Sequence, residues 1–208
     1  MAAFLSNLRA VVITGFVLAA IVLGIHWWQV GAHVDKAFWM FFVRWLHIMS
    51  GVMWIGLLWY FNFVSTPTTP SIPEELRPAL GKYITPAALF WFRWGAMGTI
   101  VFGVILAWLN NYLVQAYTLD IADPNGAFSD PSVLMIGIGM WFGTIMWFNV
   151  WFVIWPNQQK ALNIGNKYPD LSKEAKAASA KMAGQFSRIN TLLSIPMLFC
   201  MAAKSFLP

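Results

Sequence analysis

Apolar residues fall into five long runs, at about 10–30, 37–64, 86–109, 132–155 and 191–207, and polar residues collect between them. Roughly 20 apolar residues cross the hydrocarbon core of a bilayer as an α-helix, so the pattern predicts about five spans. The first run ends in Ile25-His26-Trp27-Trp28, too bulky for a signal-peptide cleavage site, and is expected to be retained. The second is long enough to cross with tilt. A connector carrying Pro67, Pro70, Pro73 and Pro78 with Glu74, Glu75, Arg77 and Lys82 precedes the third. That run opens near Pro86, a favourable first-turn residue, and fades at Asn110-Asn111. An acidic loop (Asp120, Asp123, Asp130) leads into the fourth, which Pro156-Asn157 is expected to stop.

The longest polar segment, 158–190, holds Lys160, Lys167, Lys173, Lys176, Lys181 and Arg188 against only Asp170 and Glu174. On a helical wheel, Leu171, Ala175, Ala178, Met182, Phe186 and Ile189 share one face, with Ser179 at its edge. Lys173, Lys176, Lys181 and Arg188 share the other. This predicts an amphipathic helix lying on the membrane surface over about 171–189, with Asp170 or Ser172 as N-cap. The short fifth run, with Pro196 inside it, either spans with Lys204 snorkelling at its end or continues from the surface helix. The expected fold is therefore an all-α integral membrane domain, a bundle of about five transmembrane helices plus one surface helix.

Composition agrees. Only 10% of the 208 residues are charged and 59% are hydrophobic, whereas soluble domains carry about 25% charged residues. A soluble enzyme and a disordered chain are both excluded. Thirteen Trp and seventeen Phe suit aromatic belts at the lipid–water boundaries. The net charge of +5 sits in membrane-flanking loops, so it marks topology and lipid contact and gives no sign of a nucleic-acid partner. With the Lys-rich segment cytoplasmic and the acidic loop outside, the N-terminus is expected in the cytoplasm. A single cysteine, Cys200, leaves no internal disulfide and no CxxCH haem-attachment sequence.

Ionisable residues within the predicted spans are the natural functional suspects. They are Arg44 and His47 on the second and Arg93 on the third; no Asp or Glu lies within any run. Proton relays and coupled transporters normally need intramembrane carboxylates, so a transporter ranks third among the readings. Arg44 and His47 stand one turn apart on one helix face, with His47 about 15 Å below the outer end. A neutral imidazole in an apolar bundle suits axial ligation of haem iron. Gly51 gives room for a flat macrocycle, and Arg44 would meet a propionate. The alternative is an interhelical hydrogen bond from His47 with Arg44 snorkelling outward. His26 is a candidate second ligand, although roughly 9 Å shallower. Met49, Met53, Met140 and Met146 are further options, read mainly as packing. Arg93 lies about 10 Å from the inner side, near the depth of Asn149 and Asn62. Together they form either an anion or quinone site or a structural cluster. Gly139-x-x-x-Gly143 supplies a small-residue seam for helix packing.

Several stretches, in order along the chain, carry a family resemblance: Trp45-Leu46-His47-Ile48, Gly51-Val52-Met53-Trp54-Ile55-Gly56, Trp147-Phe148-Asn149-Val150-Trp151, Trp155-Pro156-Asn157-Gln158 and Arg188-Ile189-Asn190-Thr191 running into Ile195-Pro196-Met197-Leu198-Phe199. In these the chain resembles the membrane domain of the bacterial urate hydroxylase (PuuD-type urate oxidase) family, and more distantly the HemJ-type membrane haem proteins. The resemblance implies a multi-pass protein of the bacterial inner membrane that oxidises urate and passes electrons to cytochrome c. The family carries that cytochrome as a C-terminal domain. Here no CxxCH is present, so the acceptor is expected on another polypeptide. The leading expectation is thus a membrane redox protein with haem b on His47, coupled to a separate cytochrome c. The alternative is a non-catalytic accessory subunit of a larger respiratory or oxygenase membrane complex.

Overall fold

Four helix starts among the described residues are set by short side chains that accept from otherwise free backbone N–H groups. In a computed structural model describing residues 2–121 and 130–203, Asn7 accepts from the Ala10 amide at 3.2 Å and begins α1, Leu8–Val30. Asp35 accepts from Phe38 (3.0 Å) at the start of α2, Lys36–Trp59. After α3, Thr85–Leu109, and the short α4, Leu113–Tyr117, Asp130 accepts from Ser132 and Val133 to begin α5, Pro131–Phe148. Next comes α6, Trp155–Leu162, and Ser172 accepts from Ala175 to cap α7, Lys173–Ala203. Asp123 of the acidic loop and Lys204 lie outside the described residues. Among those described, every regular element is helical. Five stretches, Leu8–Val30, Lys36–Ser71, Glu74–Leu109, Pro131–Leu162 and Lys173–Ala203, are long and apolar enough to cross a membrane.

Three of these stretches run further than the apolar runs suggest, and one reason recurs. Pro156 was expected to end the fourth span, but the helix passes through it to Leu162. A π-helical segment, Asn149–Ile154, comes immediately before the first turn that contains this proline. Pro67 and Pro86 follow the same rule, behind π segments Tyr60–Ser65 and Leu80–Ile84. A proline lacks an N–H and its ring crowds the carbonyl of the preceding turn. The wider π turn shifts that carbonyl register locally, so the helix accommodates the proline without stopping.

The chain divides into two compact units, 1–41 and 42–208. In the first, α1 is apolar on all sides, has no buried residue and ends at Gly31, whose φ of +88° suits glycine. The second holds a core around Trp54, Leu58, Leu89, Phe92, Met146 and Val150. Small residues set its helix contacts, as expected where lipid removes the hydrophobic drive for helices to associate. A Cβ on Gly95 of α3 would lie 3.1 Å from the Trp54 amide nitrogen and 3.3 Å from the Ser50 carbonyl of α2. On α5, Gly139 faces Cys200 of α7, the packing role expected of its seam.

The expected surface helix and the fifth apolar run are one continuous helix of 31 residues. Its protein-facing side is not the apolar face expected to lie on the membrane. Ser179, Ala183, Asn190, Ser194 and Met197 are buried, whereas Met182 and Ile189 point outward. A polar zipper explains this orientation. Asn149 donates to Asn190 (2.9 Å), Asn190 donates to the Met146 carbonyl (2.9 Å), Asn62 donates to Ser187 (2.8 Å) and the Trp59 indole to Ser194 (2.9 Å). Asn190→Leu leaves the Asn149 amide unanswered in an apolar interior and is expected to cost about 1–3 kcal/mol. Denaturation in detergent–lipid micelles should show that loss, and the double variant Asn149→Leu/Asn190→Leu should recover part of it.

Candidate functional site

The end of α3 is closed by its own backbone. Asn111 takes a left-handed conformation (φ +62°), one of the few residues besides glycine that does so readily. Its N–H reaches the Trp108 carbonyl (3.0 Å) and the Tyr112 N–H reaches that of Ala107 (3.2 Å). This double bond pattern turns the chain back on itself. Asn110 is fixed in the same turn by donation from Nδ2 to the Leu106 carbonyl (2.7 Å). Both Asn110 and Tyr112 thereby line a half-open cavity of about 600 Å³ walled by helices of the second unit. The volume is in the range of small-molecule and cofactor sites, about 300–1,000 Å³.

His47 lines this cavity from α2, and Thr99 from α3. The His47 Nδ1 lies 2.8 Å from the Thr99 carbonyl oxygen. A carbonyl can only accept, so Nδ1 carries the proton and donates, and Nε2 keeps the ring's lone pair. Gly103 makes this placement possible: a Cβ there would stand 3.0 Å from the ring's Cε1 and 3.1 Å from Nδ1. Nothing in the apolar pattern singles out Gly103. On the α2 side of the cavity, Gly56 has open space where a side chain would begin, and the nearest atom to a Cβ on Gly51 is 3.9 Å away.

Arg44 is the charged residue on the cavity wall, and it is solvent-exposed. Burial pushes the Tyr112 phenol above its ordinary pKa, against the opposing pull of the nearby Arg44 charge. Tyr112 is therefore a neutral hydroxyl beside a guanidinium. Met140 also lines the cavity, joined by Met197 and Met201. Met49 and Met53 are exposed and Met146 sits in the core. Among the described residues no group of three His, Cys, Asp or Glu gathers to hold a metal ion. His26 is an exposed residue of the first unit, and the cavity wall is drawn wholly from the second.

The residues expected to meet Arg93 have other partners. Asn149 and Asn62 are tied to α7 by the zipper described above. Arg93 donates from Nε to the Leu89 carbonyl (3.3 Å), and its guanidinium carbon lies 3.3 Å from the centroid of the Trp155 ring. Trp151 is a second, more distant ring at 5.6 Å. An aromatic face stabilises this cation. No hydrogen bond among the described residues joins Arg93 to either amide.

Residues 125–207 match a protein-family model described as Urate oxidase N-terminal. This similarity to a urate oxidase-related family takes in α5, α6 and α7, with Met140, Gly143 and Met197 of the cavity wall. Arg44, His47 and Thr99 precede the matched stretch. No curated protein and no solved structure matches the chain.

Proposed function

We propose that this chain is a PuuD-like membrane redox protein that holds a b-type haem on His47 and passes electrons to a separate cytochrome c. The observation that carries the reading is the His47–Thr99 hydrogen bond at the wall of a 600 Å³ cavity. Histidines that bind metals commonly donate their second ring nitrogen to a carbonyl, which fixes tautomer and ring orientation. The residues present fit a haem. Nε2 is available as ligand, the Gly51 and Gly56 positions leave room for a flat ligand, and Met140, Met197 and Met201 offer thioethers. Bound there, haem would supply a one-electron Fe(III)/Fe(II) couple. Arg44 would neutralise a propionate, and the apolar walls would keep water away. The similarity of residues 125–207 supports urate as the electron donor. The charge pattern supports a multi-pass protein of the bacterial inner membrane, with its N-terminus in the cytoplasm.

Two measurements test this proposal. Haem-loaded protein in proteoliposomes, chemically reduced and mixed with soluble ferric cytochrome c, should yield ferrous cytochrome c; no transfer from fully loaded protein contradicts the acceptor. Urate added to the oxidised protein should reduce it; an unchanged spectrum removes urate as substrate. A further prediction concerns Gly103. Gly103→Ala pushes the imidazole off the Thr99 carbonyl and is expected to weaken haem binding on the order of 10–100-fold. Titration of the apoprotein with haem checks it.

A second reading, a non-catalytic accessory subunit of a larger membrane complex, draws on α1, an apolar helix with no buried residue. Co-purification with larger subunits, by a chain that takes up no haem, would favour it.

A further inference from the structure

The charges around the cavity are one-sided. Arg44 is present, and among the described residues no aspartate or glutamate lines the wall. Neutral polar residues accompany it, among them Tyr112 and Asn110, which belong to the turn that ends α3. Neither was picked out by the apolar pattern, which marks Asn110-Asn111 only as a helix end. Most of the remaining wall is apolar. A cavity of this kind favours a ligand that is flat and apolar along most of its length and anionic at one end.

We infer that the Arg44 end of the cavity is an anion-recognition subsite for a carboxylate of the bound ligand, with Arg44 as counter-charge and Tyr112 and Asn110 as further hydrogen-bonding residues. The inference deepens the haem reading, because a propionate is one source of such a carboxylate. A free planar organic acid is the other. The guanidinium offers a fork of donors matched to two carboxylate oxygens. The Tyr112 hydroxyl and the Asn110 amide, both on the cavity wall, are further donors by residue type. Charge-assisted hydrogen bonds to a carboxylate are roughly twice as strong as neutral ones, so Arg44 should dominate and Tyr112 contribute less.

Titration of the detergent-solubilised apoprotein with haem and with haem dimethyl ester tests the subsite, since esterification removes the negative charge and leaves the ring. Wild type should prefer haem to the ester by about tenfold or more. Arg44→Gln should abolish that preference and Tyr112→Phe reduce it, both with ester affinity unchanged; Arg44→Lys should restore part of it. Equal affinity of wild type for haem and ester overturns the inference. So does an equal loss of haem and ester affinity in both variants, which would mean general damage to the fold. His47→Ala separates this result from the haem reading: if that variant binds haem as tightly as wild type, axial ligation by His47 fails. The haem-over-ester preference from the same titration then still decides the subsite. Should neither porphyrin bind, benzoate is the probe. Quenching of tryptophan fluorescence by benzoate that depends on Arg44 supports the subsite with a free acid as ligand and sinks the haem reading, and no Arg44-dependent response overturns both.

Discussion

His47→Ala is expected to abolish the haem absorbance of the purified protein while leaving the protein inserted and monodisperse. Among the described residues the imidazole is the one histidine side chain on the cavity wall, and it donates to the Thr99 carbonyl. Removing it takes away the proposed ligand without orphaning a donor. The Thr99 carbonyl keeps its place within α3, so the fold should tolerate the change. Added imidazole should restore part of the absorbance in His47→Gly, because the vacated space matches the lost ring. A variant that keeps wild-type haem content and spectrum would remove His47 from the role of ligand.

Gly95→Val carries the second large effect, and it acts through the fold. The backbones of α2 and α3 approach so closely at Gly95 that even a Cβ would lie at 3.1 Å from a backbone nitrogen. The two nearest obstacles, the Trp54 nitrogen and the Ser50 oxygen, are main chain and cannot swing away like a side-chain tip. Overpacking of this kind costs typically about 1–3 kcal/mol, and valine adds two methyl groups beyond the Cβ. The same helix pair carries His47 and Thr99, so separation of α2 from α3 should also break the bond that orients the imidazole. Thermal stability in detergent and haem content should therefore fall together. Gly15→Ala is the control, because nothing lies within 4 Å of a Cβ at that position; stability and haem content there should stay at wild-type values. A stable Gly95→Val protein with full haem content would contradict the close-packing account.

The helical class and the five candidate spans were legible in the apolar runs, since charge and hydropathy are summed over whole segments. Element ends were less legible. Pro156 reads as a stop in any one-dimensional pattern, and the π turn that accommodates it depends on how the carbonyls of α5 and α6 are arranged. The protein-facing side of α7 was not legible for a related reason. A helical wheel marks the apolar face expected against the membrane and does not say which side meets other helices. Here the buried face is the polar zipper of Asn190 and Ser194, with Met182 and Ile189 outside. Asn149 and Asn62 were grouped with Arg93 by depth, but depth says nothing about direction around the helix. Arg44 and His47, one turn apart on one helix, do share a cavity, because their spacing fixes both depth and direction. Their partners from other helices, Thr99, Gly103, Asn110 and Tyr112, emerge only from the packing of α2 against α3 and from the turn after α3.

A reduced-minus-oxidised visible spectrum of the purified native protein tests the central claim most directly. The account predicts b-type haem bands from a chromophore that acid–acetone extracts, since no CxxCH exists to hold it covalently. A folded protein that shows no haem bands, and takes up none when titrated with haem, would contradict it.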